Sequence, residues 1–222
     1  MIRNYIQEKK QKHFTFEGIE IFIQDFPPKN ISIKNILVKL KKQVPLNFIK
    51  NIDSIYVGNF KELYSRKIDA MYKHSSIFIT NRQTTEDDIL SDLVHEIAHS
   101  VEENYGFLIY GDGKIEEEFV RKRRKLWERL RQNNFSVDLK KFLNVKFTKE
   151  FDTFLYKEIG YPTLNVAGSD LFYSPYAATS LREYFANGFE AFFHYKDSNI
   201  IKKISPELYK KLEELIYVSQ EE

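Results

Sequence analysis

The sequence contains no cysteine. That excludes disulfides, thiolate-held zinc and thiol catalysis. It also lacks an excess of charge: 34 basic residues face 32 acidic ones, a net charge of +2. Nothing global therefore draws the chain toward nucleic acid or anionic lipid. No apolar run approaches the roughly 18 residues a membrane span needs. Residues 1–12 (MIRNYIQEKKQK) are polar and basic, and no apolar stretch follows them. The chain thus reads as having no secretory signal, which favours the cytoplasm. A chain trimmed of a leader and given a new Met reads the same, so secretion stays open. No internal repeat or low-complexity linker interrupts the chain.

What is present is enough for a core. Hydrophobic residues make up 42% and aromatics 15% of 222 residues. This length favours a single domain over residues 1–222, with room for an insertion. Residues 19–24 read as a strand ended by Pro27 and Pro28. Ile33, Ile36, Leu37 and Leu40 share one face of a helix over 31–42. Residues 52–57 and 76–80 alternate as strands do. Thr84-Thr85-Glu86-Asp87-Asp88 is a helix start, with hydroxyl caps followed by acids. The helix it opens, over 86–104, carries Ile89, Leu90, Leu93, Val94, Ile97, Ala98 and Val101 at helical spacing, and Gly106 ends it. Helices are predicted over 114–132, 148–159 (stopped by Gly160 and Pro162), 181–195 and 206–218, with residues 163–178 as loop. The order predicts an α+β domain: a small mixed sheet leading into one central helix, then a mainly helical C-terminal half.

His95-Glu96-Ile97-Ala98-His99 lies within the 86–104 helix. Positions i and i+4 share a helical face, so both imidazoles can address one Zn²⁺. Glu96 sits about 100° round the helix from His95. It is poorly placed as a ligand to the same ion but well placed to face a water on it. Zinc lowers the pKa of such a water toward ~7, and a neighbouring carboxylate can take its proton. The bland alternative, two half-exposed histidines on an ordinary helix, does not explain the intervening Glu or the uncharged flanks.

A catalytic zinc takes three protein ligands and one open position. His13, His74 and His194 have no distinctive context. Glu183, Asn187 and Glu190, at i, i+4 and i+7, can share one face of the 181–195 helix. Glu183 has a structural alternative, because Ser180-Leu181-Arg182-Glu183 is also a capping-box pattern.

With Tyr176, then Glu183, then Tyr184-Phe185-Ala186 after an H-E-x-x-H helix, the chain resembles the zincin peptidases related to anthrax lethal factor and the Pro-Pro endopeptidases. The resemblance covers roughly residues 76–104 and 173–194. It implies a zincin-like fold, Glu183 as third zinc ligand, and a Tyr176 hydroxyl directed into the site. It also implies that the strand before the active-site helix, Ser76–Thr80, borders a cleft where a peptide can pair with it as an edge strand; being only an edge strand of the sheet is the other reading, and the sequence does not separate the two. Two departures stand out. The family carries a Glu where this chain has Asn187, whose carbonyl could orient a ligand histidine more weakly than an acid. The gap from His99 to Glu183 is also longer than the family's, so residues 106–170 read as a helical insertion.

Other features read as structural. Arg121-Lys122-Arg123-Arg124-Lys125 follows an acidic run on an amphipathic helix and reads as a solvated face rather than a nucleic-acid patch. Gly111-Asp112-Gly113 reads as a turn, and Phe185, Phe189, Phe192 and Phe193 as core. The sequence thus predicts a zinc metallopeptidase acting on a peptide or protein. It would hold one Zn²⁺ on His95, His99 and Glu183 (or Glu190), with Glu96 as base and Tyr176 as oxyanion donor. Two other readings stay open: a non-catalytic binding module of the same fold, and a metal-dependent hydrolase of a non-peptide amide.

Overall fold

Alternation along three strands sorts the first half of the chain into a buried and an outward face. In the computed structural model, which describes residues 12–221, β2 (Ile19–Ile23) buries Ile19, Ile21 and Ile23. Likewise β3 (Ser54–Gly58) buries Ile55 and Val57, and β5 (Ser76–Thr80) buries Ile77 and Ile79. With β1 (His13–Phe16) and β4 (Ala70–Lys73) they form a five-stranded sheet in the order β1-β2-β3-β5-β4. β2, β3 and β5 are mutually parallel, while β1 and β4 are antiparallel to their neighbours. The sheet is mixed, as predicted, but two of its strands were not read from the sequence. Each is only four residues long, too short for a periodic signal. The polar stretch 1–11, read for a signal segment, lies outside the described residues.

One expectation is corrected here. Ser76–Thr80 is not an edge strand: it pairs with β3 on one side and β4 on the other. The hairpin strand β4 takes the edge.

Helix α1 (Ile33–Gln43) buries Ile33, Ile36, Leu37 and Leu40, the face read from spacing, and Ser32 caps it. Short helices α2 (Leu46–Ile49) and α3 (Lys61–Arg66) connect the strands. Helix α4 (Glu86–Tyr110) begins where the hydroxyl–acid signal falls, with Thr85 Oγ1 accepting the Asp88 N–H. Its Glu86 anchors the start, accepting from Lys39 Nζ at 2.8 Å and from the Ser32 N–H at 3.1 Å. Tyr105, just before Gly106, leaves helical geometry (φ −114°, ψ 17°), so the helix read over 86–104 breaks there and a second helical stretch follows to Tyr110.

The described chain divides into two compact units, one running to Asn104 and including the C-terminal residues from Ser219, the other Tyr105–Val218. All regular structure in the second is helical: α5 (Lys114–Gln132), α6 (Leu139–Leu143), α7 (Lys149–Thr153), a π-helical turn (Phe154–Ile159), α8 (Tyr161–Gly168), a 3-10 turn (Tyr176–Ala178), α9 (Leu181–Phe193), α10 (Ser198–Ile204) and most of α11 (Pro206–Glu221). Pro162 opens α8 instead of stopping its predecessor, because proline costs nothing in the first turn, where its missing N–H has no intrahelical acceptor. Part of the predicted loop 163–178 is therefore helical. None of these helices, nor any other among the described residues, is long and apolar enough to cross a membrane.

The basic run on α5 is not a solvated face throughout. Lys122 and Arg123 are buried, on the same face as Ile115, Phe119, Leu126 and Leu130. The i+3/i+4 period of the apolar residues carries them inward. Arg123 donates to the carbonyls of Asn144 (2.9 Å) and Lys141 (2.6 Å), beside the C-terminus of α6. Its guanidinium lies 4.1 Å from the Phe151 ring centroid. Lys122 donates to Tyr184 Oη and to Ser205 Oγ (2.6 Å), while Tyr184 Oη donates to Glu118 Oε1 at 2.8 Å. Glu118 in turn accepts the Glu207 and Leu208 N–H groups at the start of α11.

Burial pushes the Lys122 ammonium down to about 7, with Glu118 opposing and Arg121 assisting. The unfolded chain holds this proton up to about pH 10.4. Between those values the unfolded state binds more protons, so stability rises with pH through that window. The wild type should gain on the order of a few kcal/mol between about pH 7 and 9.5 relative to Lys122→Met, measured by urea denaturation. Parallel pH profiles for the two proteins would contradict this.

Candidate metal centre

Helix α4 brings His95 and His99 to one face, their ring centroids 5.2 Å apart and their planes at 81°. Its other faces are buried by Leu93, Val94, Ile97, Ala98 and Val101, so the histidines have little rotational freedom as a pair. Glu96, only 9% exposed, points another way. Its Oε2 accepts the backbone N–H of Tyr72 on β4 at 2.6 Å. That bond fixes one carboxylate oxygen and leaves Oε1 available. Tyr72 also donates its hydroxyl to Glu103 at 2.5 Å.

Glu102, buried three residues past His99, accepts from His99 Nδ1 at 2.7 Å. A carboxylate on Nδ1–H selects the tautomer whose Nε2 carries the lone pair, and raises its basicity as a metal donor. The resemblance implies this task for Asn187. The Asn187 Oδ1 instead accepts from the Ser174 hydroxyl. A second acid was also missed. Asp92, three residues before His95, is pushed up to about 7 by burial, with Asp69 and Glu96 adding to the rise and Gln83 and His95 opposing. Both acids stand at i−3 or i+3 from a motif histidine, on its helical face.

In the second unit, Ser180 caps α9 by accepting the Glu183 N–H at 3.2 Å. Glu183 is therefore in the first turn. Tyr176 precedes it in the 3-10 turn, half-buried. The cap bond of the predicted box is present, but it uses the backbone of Glu183 and leaves the role of the carboxylate to be decided. The first unit thus offers two imidazoles on one face of α4, and the second offers the Glu183 carboxylate in the first turn of α9. Two imidazoles and a carboxylate are a donor set suited to zinc.

Removing the Glu102 carboxylate should weaken zinc binding about 10–100-fold. Glu102→Gln, which keeps an acceptor for Nδ1–H, should recover part of the loss. Competition with a chromogenic chelator measures this, and equal affinities in Glu102→Ala and the parent would contradict the role.

No protein-family model matches the chain, and none of the curated proteins compared with it does.

Proposed function

We propose that this protein is a zinc-dependent endopeptidase of the zincin type. The observation that carries the reading is the outfitting of α4: two histidines on one face, a carboxylate fixing one of them, and a second, separately held carboxylate between them in sequence. Holding the Tyr72 N–H occupies one oxygen of Glu96, and the other is left to act as a base. His95, His99 and Glu183 would hold the ion. When bound, zinc supplies Lewis acidity, making a water molecule acidic near neutral pH and polarising a carbonyl. Glu96 then takes the proton of the attacking water on its free oxygen and delivers it to the leaving amine. The Tyr72 N–H keeps that carboxylate in position for both transfers. Tyr176 donates its hydroxyl to the carbonyl oxygen as negative charge develops there. The side chains in this scheme include no nucleophile, so no acyl-enzyme forms. The substrate class is peptide or protein.

The test is elemental analysis after purification with zinc present. About one zinc per chain is predicted, falling toward zero in His95→Ala and His99→Ala. Absence of stoichiometric metal in the parent would remove the basis of the reading.

A further inference from the structure

The outward face of the sheet carries a second feature, independent of the histidine helix. Where Ile55, Val57, Ile77 and Ile79 are buried, the alternate residues of the same strands present rings on the opposite side. His13, Phe22, Tyr56 and Phe78 are cross-strand neighbours in one row. Their rings stack with centroid separations of 4.6, 5.0 and 5.0 Å and interplanar angles of 11° or less. Phe60, just before α3, meets Phe78 edge-on at 5.4 Å. Beside this end of the row is a cavity of about 540 Å³, lined by Tyr56, Phe60 and Phe78 together with Lys61, Lys73 and His74. That volume lies within the range of small-molecule sites, roughly 300–1,000 Å³.

The polar side of the cavity is biased toward cations. Lys61 and Lys73 are exposed. The one carboxylate in the lining, Glu62, is 3.7 Å from Lys73 and 4.0 Å from Arg66. The hairpin between β4 and β5 adds an observation from the backbone. Its two loop residues, His74 and Ser75, both have positive φ (50° and 55°). Two-residue hairpin loops of this hand favour Asn-Gly, which adopts that geometry with little strain. This chain instead places an imidazole there, on the cavity wall.

We propose that this cavity binds a small planar aromatic anion. The ring lies against Tyr56, Phe60 and Phe78, and the anionic group faces Lys61, Lys73 and His74. Tyr56 is stacked between Phe22 and Phe78 and offers its ring edge, so the rings favour an aromatic ligand by edge and face contacts, and the cations favour a carboxylate or phosphate on it. The site does not depend on zinc or on Glu96, so it stands apart from the peptidase reading.

Isothermal titration of the full chain with 2-naphthoate and with adenosine 5′-monophosphate tests the proposal and separates the two sources of such an anion. At least one should bind saturably, with Kd below about 1 mM. Neutral 2-naphthalenemethanol and inorganic phosphate alone should bind at least about tenfold more weakly. Phe78→Leu and Lys73→Glu should each weaken the bound anion about tenfold or more. Lys73 is exposed, so its variant tests the site even if Phe78→Leu fails to fold. His74→Asn with Ser75→Gly should raise the thermal midpoint by relaxing the hairpin while weakening the anion. Absence of saturable binding, equal binding of the neutral analogue, or indifference to Lys73→Glu would overturn the proposal.

Discussion

Glu96→Gln should lower turnover by about 10²–10⁴-fold while leaving zinc content and thermal midpoint close to the parent's. The amide is nearly isosteric with the carboxylate, and its oxygen can still accept the Tyr72 N–H that Glu96 accepts at 2.6 Å. It cannot accept the proton of a water molecule. The loss should therefore appear in kcat with little change in KM, as for a group acting mainly in the transition state. Full activity in a zinc-replete Glu96→Gln protein would assign the base to another residue. If zinc is held and neither protein cleaves any peptide, the non-catalytic module becomes the better reading.

The second large effect concerns Glu183, where a ligand and a capping residue predict different failures. As a ligand, Glu183→Ala should lower zinc affinity by on the order of 10² or more, because one of three protein donors is lost. The apo-protein should change little in stability, since the cap bond runs from the Glu183 N–H to Ser180 Oγ and survives the substitution. Ser180→Ala should do the reverse, costing about 0.5–2 kcal/mol of stability with smaller effect on zinc. Tyr176→Phe should leave zinc affinity intact and lower kcat by ~10²-fold. Zinc affinity and apo-protein denaturation measured on all three separate these roles. Unchanged zinc affinity in Glu183→Ala would return the third ligand to Glu190 or another acid.

Much of the first unit was legible because burial imposes a period. The three parallel strands and the helices at 33–43 and 86–110 each carry enough apolar residues to register one. The two antiparallel strands at the sheet edges escaped, so Ser76–Thr80 was misplaced as an edge. Strand order is a tertiary property, and four-residue strands leave no local trace of it. In the second unit, Pro162 was read as a stop because a proline after a glycine fits the end of one helix as well as the start of the next. Lys122 and Arg123 belong to a run of five basic residues that suggests a solvated face, yet the apolar period of the helix turns both inward. Each is accommodated by specific partners, Tyr184 and Ser205 for the lysine, two carbonyls and the Phe151 ring for the arginine, which composition does not reveal.

The histidine pair and Glu96 were legible because their chemistry depends on spacing along one helix. Glu102 and Asp92 lie on the same helix at equally regular offsets, yet acids at i±3 are so common on helices that the offset alone does not mark them. Geometry singles them out: a 2.7 Å bond to His99 Nδ1 for Glu102, and burial beside Asp69 and Glu96 for Asp92.

The most direct test of the central claim is cleavage of a diverse peptide library by the zinc-loaded protein, read by mass spectrometry with and without chelator. Defined internal cleavages that vanish with chelator and return when zinc is restored are the predicted result. A zinc-loaded, folded protein that cuts no peptide in the library, or whose cleavages persist when the metal is removed, would contradict it.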